Sequence, residues 1–552
     1  MDEKRNGVIA PQWLVNCPRW ISEAESLVPK LHYEEIHPTS AVSITPDVTA
    51  FQGWAVSDAT DIDLANLSNV AMGKGDSVTL DFAEHRVGYL RLKLECDQWY
   101  NDSPVRLRLV FGEVPAEVVE PFDPYPGRLS RAWLQDVQID IDELPAEVRL
   151  PRRYAFRFLR IDVVATSLDF RVTIADIACE TVTSAGPDLG KIPLDGIDQE
   201  LDRVSVHTLR QCMQTVFEDG PKRDRRLWIG DLRLQALANY VSFKDYDLVK
   251  RCLLLHAGLA RREDGVVPAC IYERPVPVIG HNFILDYAAM FGPTLLDYAN
   301  ASGDKALARD LLPVALHQLD YCLDFVDPKT GLFRDPGDQW LFLDWHPELH
   351  KTAGLHAILV YSTRRTGELL RLLGDEEQAS RLELTADRMA AAARENLRDR
   401  DTGLYVSGPD RQVSWATQVW MVLAGVPRDS KEAAALFDTL DKTVEAVRPA
   451  GPYLWHHVVD ALYTCGRDVQ ALGVLRTYWG AMVKHGATTF WEVFKPEEER
   501  LSPYGSHLVN SYCHAWSCTP TYFLRTIGNA DKMSESNWDS GSPVRVRVRG
   551  VG

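Results

Sequence analysis

The sequence predicts two kinds of structure in one chain, an N-terminal antiparallel β-sandwich followed by an (α/α)6 barrel of six helical hairpins. The chain has 552 residues, whereas a single core rarely extends beyond about 250–300, so at least two domains are expected. The hydrophobic period changes near residue 190 from that of strands to that of helices. About a dozen amphipathic helices then follow without strand-like segments between them, which favours a ring of hairpins over a βαβ barrel. A compact, irregular helical bundle is the alternative.

Residues 1–190 are expected to form the β-sandwich, which would resemble a jelly roll. The first forty residues are less regular and contain Trp13 and Trp20, so we expect an arm that packs on the rest. Turn-forming clusters such as GKGD, YNDSP and DPYPGR lie among the predicted strands. The strands are predicted from alternating apolar and polar residues in SVTLDFAEH, VGYLRLKLECD, PVRLRLVFGEV, VQIDIDEL, FRFLRIDVVA and FRVTIADIACETV.

Residues 191–530 are expected to form the helical barrel, and residues 531–552 a tail that is either disordered or contributes one edge strand. Apolar residues recur at the spacing of one helical face throughout the barrel region. Segments with this pattern include LDRVSVHTLRQCMQTV, DLRLQALANYVSF, LVKRCLLLHAGLAR, LARDLLPVALHQLDYCLDFV, GLHAILVYSTRRTGELLRLLG, ASRLELTADRMAAAARENL and HLVNSYCHAWSCTPTYFLRTI.

Composition excludes several classes of function. With 60 Lys and Arg against 78 Asp and Glu, the net charge of −18 argues against nucleic-acid binding. No run of 18 apolar residues predicts a membrane span, and the charged N-terminus has no secretory signal. The 10 cysteines have no CxxC spacing, which indicates free thiols in a reducing cytoplasm rather than a zinc site. The 15 tryptophans suit the binding of sugar rings.

The densest polar segment is EDGPKRDRRLWIGD, residues 218–231. It carries Asp219, Arg223, Asp224 and Asp231, and it turns directly into an apolar helix. Trp228 lies inside this charged run, as expected for a loop held over a cavity. A solvated loop with internal salt bridges is the alternative, and the residues alone favour neither.

A second candidate is Glu492, which lies in the aromatic segment HGATTFWEVFKP beside Trp491. An acid among buried aromatic residues has a raised pKa, as a catalytic acid or base requires. A glutamate that reaches solvent from an amphipathic strand or turn is the alternative.

Two further segments carry polar side chains of interest. Asp344 and Trp345 lie in DPGDQWLFLDWHPELHK, where acids alternate with indoles as in a sugar subsite; a charged connecting loop is equally compatible. His507 and His514 are seven residues apart and are predicted to share one helical face, most simply as packing residues. The chain has no GxSxG motif and no glycine-rich nucleotide loop, so neither serine hydrolysis nor a nucleotide cofactor is supported.

Together these segments resemble the family 78 glycoside hydrolases, the α-L-rhamnosidases. The family's acidic motif is followed residue by residue from Asp219 to Asp231, and its Ala-Thr-Thr-aromatic-Trp-Glu motif is matched by residues 487–492. Leu343-Asp344-Trp345 resembles its sugar-contact loop, and residues 511–516 its late histidine helix. LDFAEHRVGYLRLKLE and LVFGEV are similar to its β-sandwich. The resemblance covers residues 75–528.

The resemblance implies an inverting exo-glycoside hydrolase that removes a terminal α-L-rhamnose, or a similar deoxy-sugar, from glycosides or oligosaccharides. Asp224 would protonate the leaving oxygen and Glu492 would activate the attacking water. The residues implied in substrate binding are Asp219, Arg223, Trp228, Asp231, Asp344, Trp345, Trp491 and His514. No metal and no organic cofactor is implied.

The sequence departs from the family pattern at the acid. Asp224 stands where most members have Glu, which is one methylene longer, and little chain follows residue 528 where the family has a C-terminal β-sandwich. A six-hairpin glycosidase for a different terminal sugar therefore stays as an alternative. So does a non-catalytic carbohydrate-binding protein.

Overall fold

The computed structural model describes residues 17–60, 62–259 and 264–527, so Trp13 and the predicted tail 531–552 lie outside the described residues. The N-terminal part contains two short helices and nine strands within these ranges. The helices are α1 (Pro18–Ser26) and α2 (Ala116–Val119). The strands are β1 (His32–Ile36), β2 (Ser40–Pro46), β3 (Trp54–Asp58), β4 (Ser77–Cys96), β5 (Val105–Gly112), β6 (Asp136–Ile141), β7 (Ala146–Arg149), β8 (Tyr154–Ala165) and β9 (Val172–Thr183).

These strands form the antiparallel β-domain that the alternating pattern predicts. β9 pairs with β1 and β4, β4 pairs with β8, and β8 pairs with β5, which carries β6 at the edge. β2 joins β4 to β3, and β7 pairs with β4. The apolar side chains of β4, such as Leu90, Leu92 and Leu94, are buried in the core of this domain. The burial of every second side chain along the strand therefore stabilises the sheet.

One long strand replaces two of the predicted strands. β4 continues through residues 77–96, and its register against β8 shifts between Asp81 and Arg86. Inside this irregularity Ala83 has a φ of 62°, and its backbone N–H donates to the Asp81 carboxylate at 2.8 Å. A bulge of this kind bends a strand without ending it, so no turn is needed there.

The helical domain begins beyond the predicted boundary at residue 190, because β9 ends at Thr183 and the next helix begins at Gly196. Consecutive helices pack on each other in pairs, for example the seventh with the eighth and the ninth with the tenth, which confirms the six-hairpin prediction. The helices are α3 (Gly196–Cys212), α4 (Ile229–Val241), α5 (Tyr246–Gly258), α6 (Leu285–Ala289), α7 (Phe291–Ser302), α8 (Lys305–Leu323), α9 (Thr352–Leu373), α10 (Glu376–Asn396), α11 (Trp415–Leu423), α12 (Ser430–Leu440), α13 (Pro452–Thr464), α14 (Asp468–Lys484) and α15 (Pro520–Ile527).

Local capping residues start and stop several of these helices. Asp245 accepts a hydrogen bond from the Leu248 backbone at the start of α5, and Asp304 does the same at the start of α8. α7 and α9 end at Gly303 and Gly374, which take the left-handed conformation that glycine adopts without steric cost. No described helix is both long and apolar enough to cross a membrane.

The prediction of a helix over residues 507–524 is wrong for most of its length. That segment contains two short 3-10 turns, His507–Val509 and Ala515–Ser517, before α15 begins at Pro520. Its backbone is hydrogen-bonded to other segments instead, for example from the Ala515 N–H to the Asp219 carbonyl at 2.7 Å. His507 and His514 therefore do not share a helical face.

The helical domain also contains a small antiparallel sheet that the sequence did not indicate. Its strands are β10 (Leu227–Trp228), β11 (Cys270–Tyr272) and β12 (Val278–Ile279). β10 leads directly into α4, so this sheet fixes the point at which the charged loop 218–231 becomes helical.

Contacts from the N-terminal segment and from the β-domain hold the two domains together. α1 packs on α5, and the Trp20 indole donates to Asp310 at 2.7 Å, so this described helix of the N-terminal segment packs on the helical domain. Phe51 of the β-domain stacks on Trp491 with ring centroids 4.4 Å apart. The His85 backbone N–H donates to the Thr488 hydroxyl at 3.0 Å. The motif that contains Glu492 thus lies where the β-domain meets the barrel.

Candidate active site

Glu492 is the more deeply buried of the two predicted catalytic residues, with 2% of its surface exposed. It accepts hydrogen bonds from the Arg223 guanidinium, from the Tyr504 hydroxyl and from the Ser511 backbone N–H. Burial favours a higher pKa, but the charge of Arg223, followed by that of His514 and these hydrogen bonds, holds the pKa of Glu492 below its ordinary value. Glu492 is therefore an ionised buried carboxylate and not a side chain that reaches solvent.

Asp224 lies beside the same guanidinium as Glu492. Its Oδ1 is 3.5 Å from Arg223 Nη1, and its Oδ2 is 3.7 Å from Arg226 Nη1. The Asp224 side chain is 16% exposed, against 2% for that of Glu492. One arginine thus holds two carboxylates, one of which is open to a ligand and one enclosed.

The loop that carries Asp224 is buried, in contrast to a solvated charged loop. Residues 218–223 are all buried, and the Arg223 Nε donates to the Val509 carbonyl at 2.8 Å. The Arg226 guanidinium lies 4.1 Å from the centre of the Tyr272 ring. The arginines of this segment therefore hold the loop in one position between the 509–511 segment and the small sheet.

Asp219, Asp231 and His514 form a second buried group next to this pair. His514 Nε2 lies 3.0 Å from Asp231 Oδ1, and Asp219 Oδ1 accepts from the Arg226 backbone N–H at 3.0 Å. Burial, together with the charge of Asp224, raises the pKa of Asp219 to about 8. Burial opposes a charge on His514, but the hydrogen bond to Asp231 and the charge of Glu492 raise its pKa. The environment of this cluster thus favours the protonated form of the Asp219 carboxyl.

Asp344 is positioned by a loop that a second aspartate holds. Asp286 accepts the backbone N–H groups of Phe342 and Leu343 at 2.9 and 3.0 Å, which orients the next residue. Asp344 Oδ2 accepts from the Ala450 N–H at 2.7 Å, whereas its buried Oδ1 has no hydrogen-bond partner in the part of the chain that the structure describes. Burial raises the pKa of Asp344 to about 7. A buried oxygen without a partner is costly and suits a ligand hydroxyl.

Aromatic side chains connect this loop to Glu492. The Trp345 ring meets the Tyr504 ring edge-on at 5.6 Å, and Tyr504 in turn donates to Glu492. Phe342 stacks on Trp516 at 5.8 Å, and the Trp516 indole donates to the Glu492 carbonyl at 3.1 Å. Asp344 and Trp345 therefore lie in the same aromatic cluster as Glu492, one of the two predicted catalytic carboxylates.

Trp228 and Trp491, which were predicted to contact the sugar, form no hydrogen bond with Asp224 or with the side chain of Glu492 in the described part of the chain. Trp228 is a half-buried residue that precedes α4, and its buried indole N–H has no hydrogen-bond partner among the described residues. Trp491 is 2% exposed and packs among Phe51, Phe494 and Tyr512, on the side of the β-domain. Sugar contacts by Trp228 and Trp491 stay a prediction.

Tyr504, whose hydroxyl donates to Glu492, is a site residue that the sequence did not predict. Tyr504 lies in the turn SPYGSH, which has neither periodicity nor a charge cluster. Its position after a run of acidic residues and next to a glycine gives no chemical signal. Only the folded chain brings its ring over the Arg223 guanidinium, at 4.4 Å.

Comparison with known proteins shows the family to which the two domains belong. The glycosyl hydrolase family 78 α-rhamnosidase N-terminal domain matches residues 38–181, and the bacterial α-L-rhamnosidase six-hairpin glycosidase domain matches residues 197–527. A rhamnosidase from Klebsiella oxytoca, solved with rhamnose bound, is 42% identical with a TM-score of 0.90. The match covers 93% of this chain and 99% of that one. The curated proteins returned no match.

More distant structures share the fold. A family 78 rhamnosidase of Bacillus sp. GL1 is 24% identical over 81% of this chain and 46% of its own, with a TM-score of 0.68. An α-L-rhamnosidase from Aspergillus terreus is 14% identical over 90% of this chain and 54% of its own, with a TM-score of 0.63. The two domain matches, in the order found in this chain, and the Klebsiella relative place the chain in family 78 of the glycoside hydrolases, the α-L-rhamnosidases.

Proposed function

We propose that this glycoside hydrolase removes a terminal α-L-rhamnose from glycosides or oligosaccharides with inversion of configuration. The family supplies the reaction class, and the relative from Klebsiella was solved with rhamnose bound. The carrying observation is that Arg223 contacts both Asp224 and Glu492, which differ in exposure.

Glu492 acts as the base in this proposal. Its pKa is held below the ordinary value because Arg223 stabilises its charge, so it is ionised at neutral pH and can accept a proton from water. The Tyr504 hydroxyl and the Ser511 N–H fix the orientation of the carboxylate. Water activated there would attack the anomeric carbon from the side away from the leaving group.

Asp224 acts as the acid and protonates the oxygen of the departing group. Its side chain is more exposed than that of Glu492, as contact with a glycosidic oxygen requires. The Arg223 guanidinium contacts both carboxylates, and an inverting pair needs about 6.5–9.5 Å between them to admit the water. After bond cleavage Asp224 is ionised and Glu492 is protonated, so one proton transfer resets the pair.

The sugar would satisfy buried polar atoms that have no hydrogen-bond partner among residues 17–60, 62–259 and 264–527. These atoms are Asp344 Oδ1, His514 Nδ1 and the indole nitrogens of Trp228 and Trp345. One carboxylate oxygen and several imidazole or indole nitrogens could form hydrogen bonds with the several hydroxyls of a sugar. The edge-on aromatic group of Phe342, Trp345 and Tyr504 would receive the apolar methyl of a deoxy-sugar.

A panel of 4-nitrophenyl glycosides tests the substrate. We expect release from the α-L-rhamnoside and little from the α-L-fucoside, α-D-mannoside or β-D-glucoside. Preferential release from another sugar would contradict the rhamnose assignment and retain a hydrolase. Sugar binding without turnover on any glycoside would favour a binding protein.

We also propose that the enzyme works in the cytoplasm. Eight of the ten cysteines are buried, as expected for thiols of a chain that folds in a reducing compartment. Fractionation of the source cells followed by rhamnosidase assay would test this, and activity confined to the medium would contradict it.

A further inference from the structure

A buried charge cluster lies between the catalytic loop and the β-domain, and no step of the proposed mechanism uses it. Lys222, which is 2% exposed, donates to the Glu117 carboxylate and to the Asn510 carbonyl. Its Nζ is also 3.1 Å from Glu113 Oε2. A buried ammonium is costly unless it is paired, so this arrangement holds Lys222 strongly in one place.

The carboxylates of this cluster come from the β-domain. Glu113 follows β5 directly, and its backbone N–H donates to Glu117 Oε2 at 2.6 Å. Glu113 is held in turn by His85 Nε2 at 2.8 Å and by the Tyr512 backbone N–H at 2.7 Å. The β-domain thus presents a preformed anionic socket to Lys222.

Lys222 immediately precedes the residues that carry the proposed chemistry. Lys222 donates to the Asn510 carbonyl and Arg223 Nε to the Val509 carbonyl, so both fasten the catalytic loop to one neighbouring segment. The next residue of that segment, Ser511, donates its N–H to Glu492. The position of Asp224 relative to Glu492 therefore depends on this fastening.

We propose that Lys222 is a positioning residue for Asp224 and Glu492, and that Glu113 and Glu117 fix it, so that the β-domain completes the active site. The inference rests on the proposed function. Lys222 acts through the backbone of its loop and touches neither the sugar nor the water. A displacement of about 1 Å at a reacting group can cost about 100-fold in rate.

Lys222→Met and Glu117→Gln test the proposal, with kcat and KM measured on 4-nitrophenyl α-L-rhamnoside. We expect kcat to fall about 10-fold or more while KM changes by less than about threefold, because the sugar-binding groups around Asp344 are not displaced. The matched control is Asp202→Asn, which removes a buried partner of Arg525 and Thr521 between α3 and α15. Its kcat should remain at the parent value.

The double variant Lys222→Met/Glu117→Gln separates positioning from stability. In the double variant, neither Lys222 nor Glu117 is left as a buried charge without its partner. The melting temperature of the double variant should therefore exceed that of Lys222→Met. Its kcat should stay low, since the fastening is still missing. Recovery of kcat together with stability, or parental kcat in a folded single variant, would overturn the positioning role and leave the rhamnosidase assignment intact. A parent enzyme without turnover on any glycoside would overturn both.

Discussion

The guanidinium of Arg223 and the carboxylate of Glu492 form an ion pair in which each side chain is 2% exposed. A second nitrogen of the same guanidinium lies 3.5 Å from Asp224. Arg223 therefore favours the ionised form of the proposed base and also contacts the proposed acid. The pH dependence of the enzyme, the roles of the two carboxylates and the stability of the site all depend on this arrangement.

Removal of the base should abolish turnover. We expect Glu492→Gln to lower kcat by about 10²–10⁴-fold, the usual contribution of a general base. Glu498→Gln is the control, since Glu498 pairs with Lys495 at the surface and should leave kcat unchanged. Steady-state kinetics on the rhamnoside measure both, and a Glu492→Gln enzyme within a few-fold of the parent would rule out the base assignment.

Removal of the acid should matter most for poor leaving groups. We expect Asp224→Asn to retain more of its activity on a 2,4-dinitrophenyl rhamnoside than on an alkyl rhamnoside, because a dinitrophenolate leaves without a proton. Asp224→Glu restores a carboxyl and should exceed Asp224→Asn on the alkyl substrate. Equal losses on both substrates would contradict a role of Asp224 as acid.

The acid limb of the pH–rate profile should depend on Arg223. The folded pKa of Glu492 is lowered, so activity persists below pH 4.5 and falls as the pH drops through that lowered value. Arg223→Met should move this limb to higher pH, whereas Arg223→Lys retains a charge and should move it less. An unchanged limb in Arg223→Met would mean that another group sets the ionisation of Glu492.

The stability of the folded protein should fall as the pH rises, because folding favours the protonated form of Asp219. Its folded pKa of about 8 lies above the unfolded value near 3.8, so folding favours the protonated form. This contribution is complete below the unfolded pKa and is lost as the pH rises towards 8. Asp219→Asn mimics the neutral acid, and its melting temperature relative to the parent should increase between pH 5 and pH 8. Parallel curves for the two proteins would exclude this linkage.

Sugar binding should depend on Asp344. Because its Oδ1 is buried without a partner, Asp344→Asn should weaken L-rhamnose binding by about 10–100-fold, the range for hydrogen bonds to charged groups. The control is Asp335→Asn, at an exposed residue of the same segment between α8 and α9, which should leave L-rhamnose binding unchanged. Calorimetric titration measures both dissociation constants, and equal affinities would remove Asp344 from the sugar site.

The sequence predicted those parts of the structure that depend on local pattern. Period-two and helical patterns indicated the two kinds of domain, and the resemblance to family 78 led to the prediction of Asp224 and Glu492 as the catalytic pair. The bulge at Ala83 was missed because it depends on the register between strands. Residues 507–517 were predicted as helix because their apolar spacing is helical, but their backbone is hydrogen-bonded to residues far away in the chain, such as Asp219.

The unpredicted site residues share one property, which is that their partners are distant in sequence. Glu117 and Lys222 are 105 residues apart, so no motif contains both. Tyr504 acts only because a turn carries its ring over Arg223. Contacts of this kind follow from how the β-domain docks on the barrel.

The configuration of the first sugar released tests the central claim most directly. Proton NMR in the first minutes of hydrolysis of an α-L-rhamnoside distinguishes the two anomers before mutarotation mixes them. An inverting pair formed by Asp224 and Glu492 predicts that β-L-rhamnose appears first. Initial formation of α-L-rhamnose would require a covalent intermediate and would contradict the assignment of Glu492 as the base that activates water.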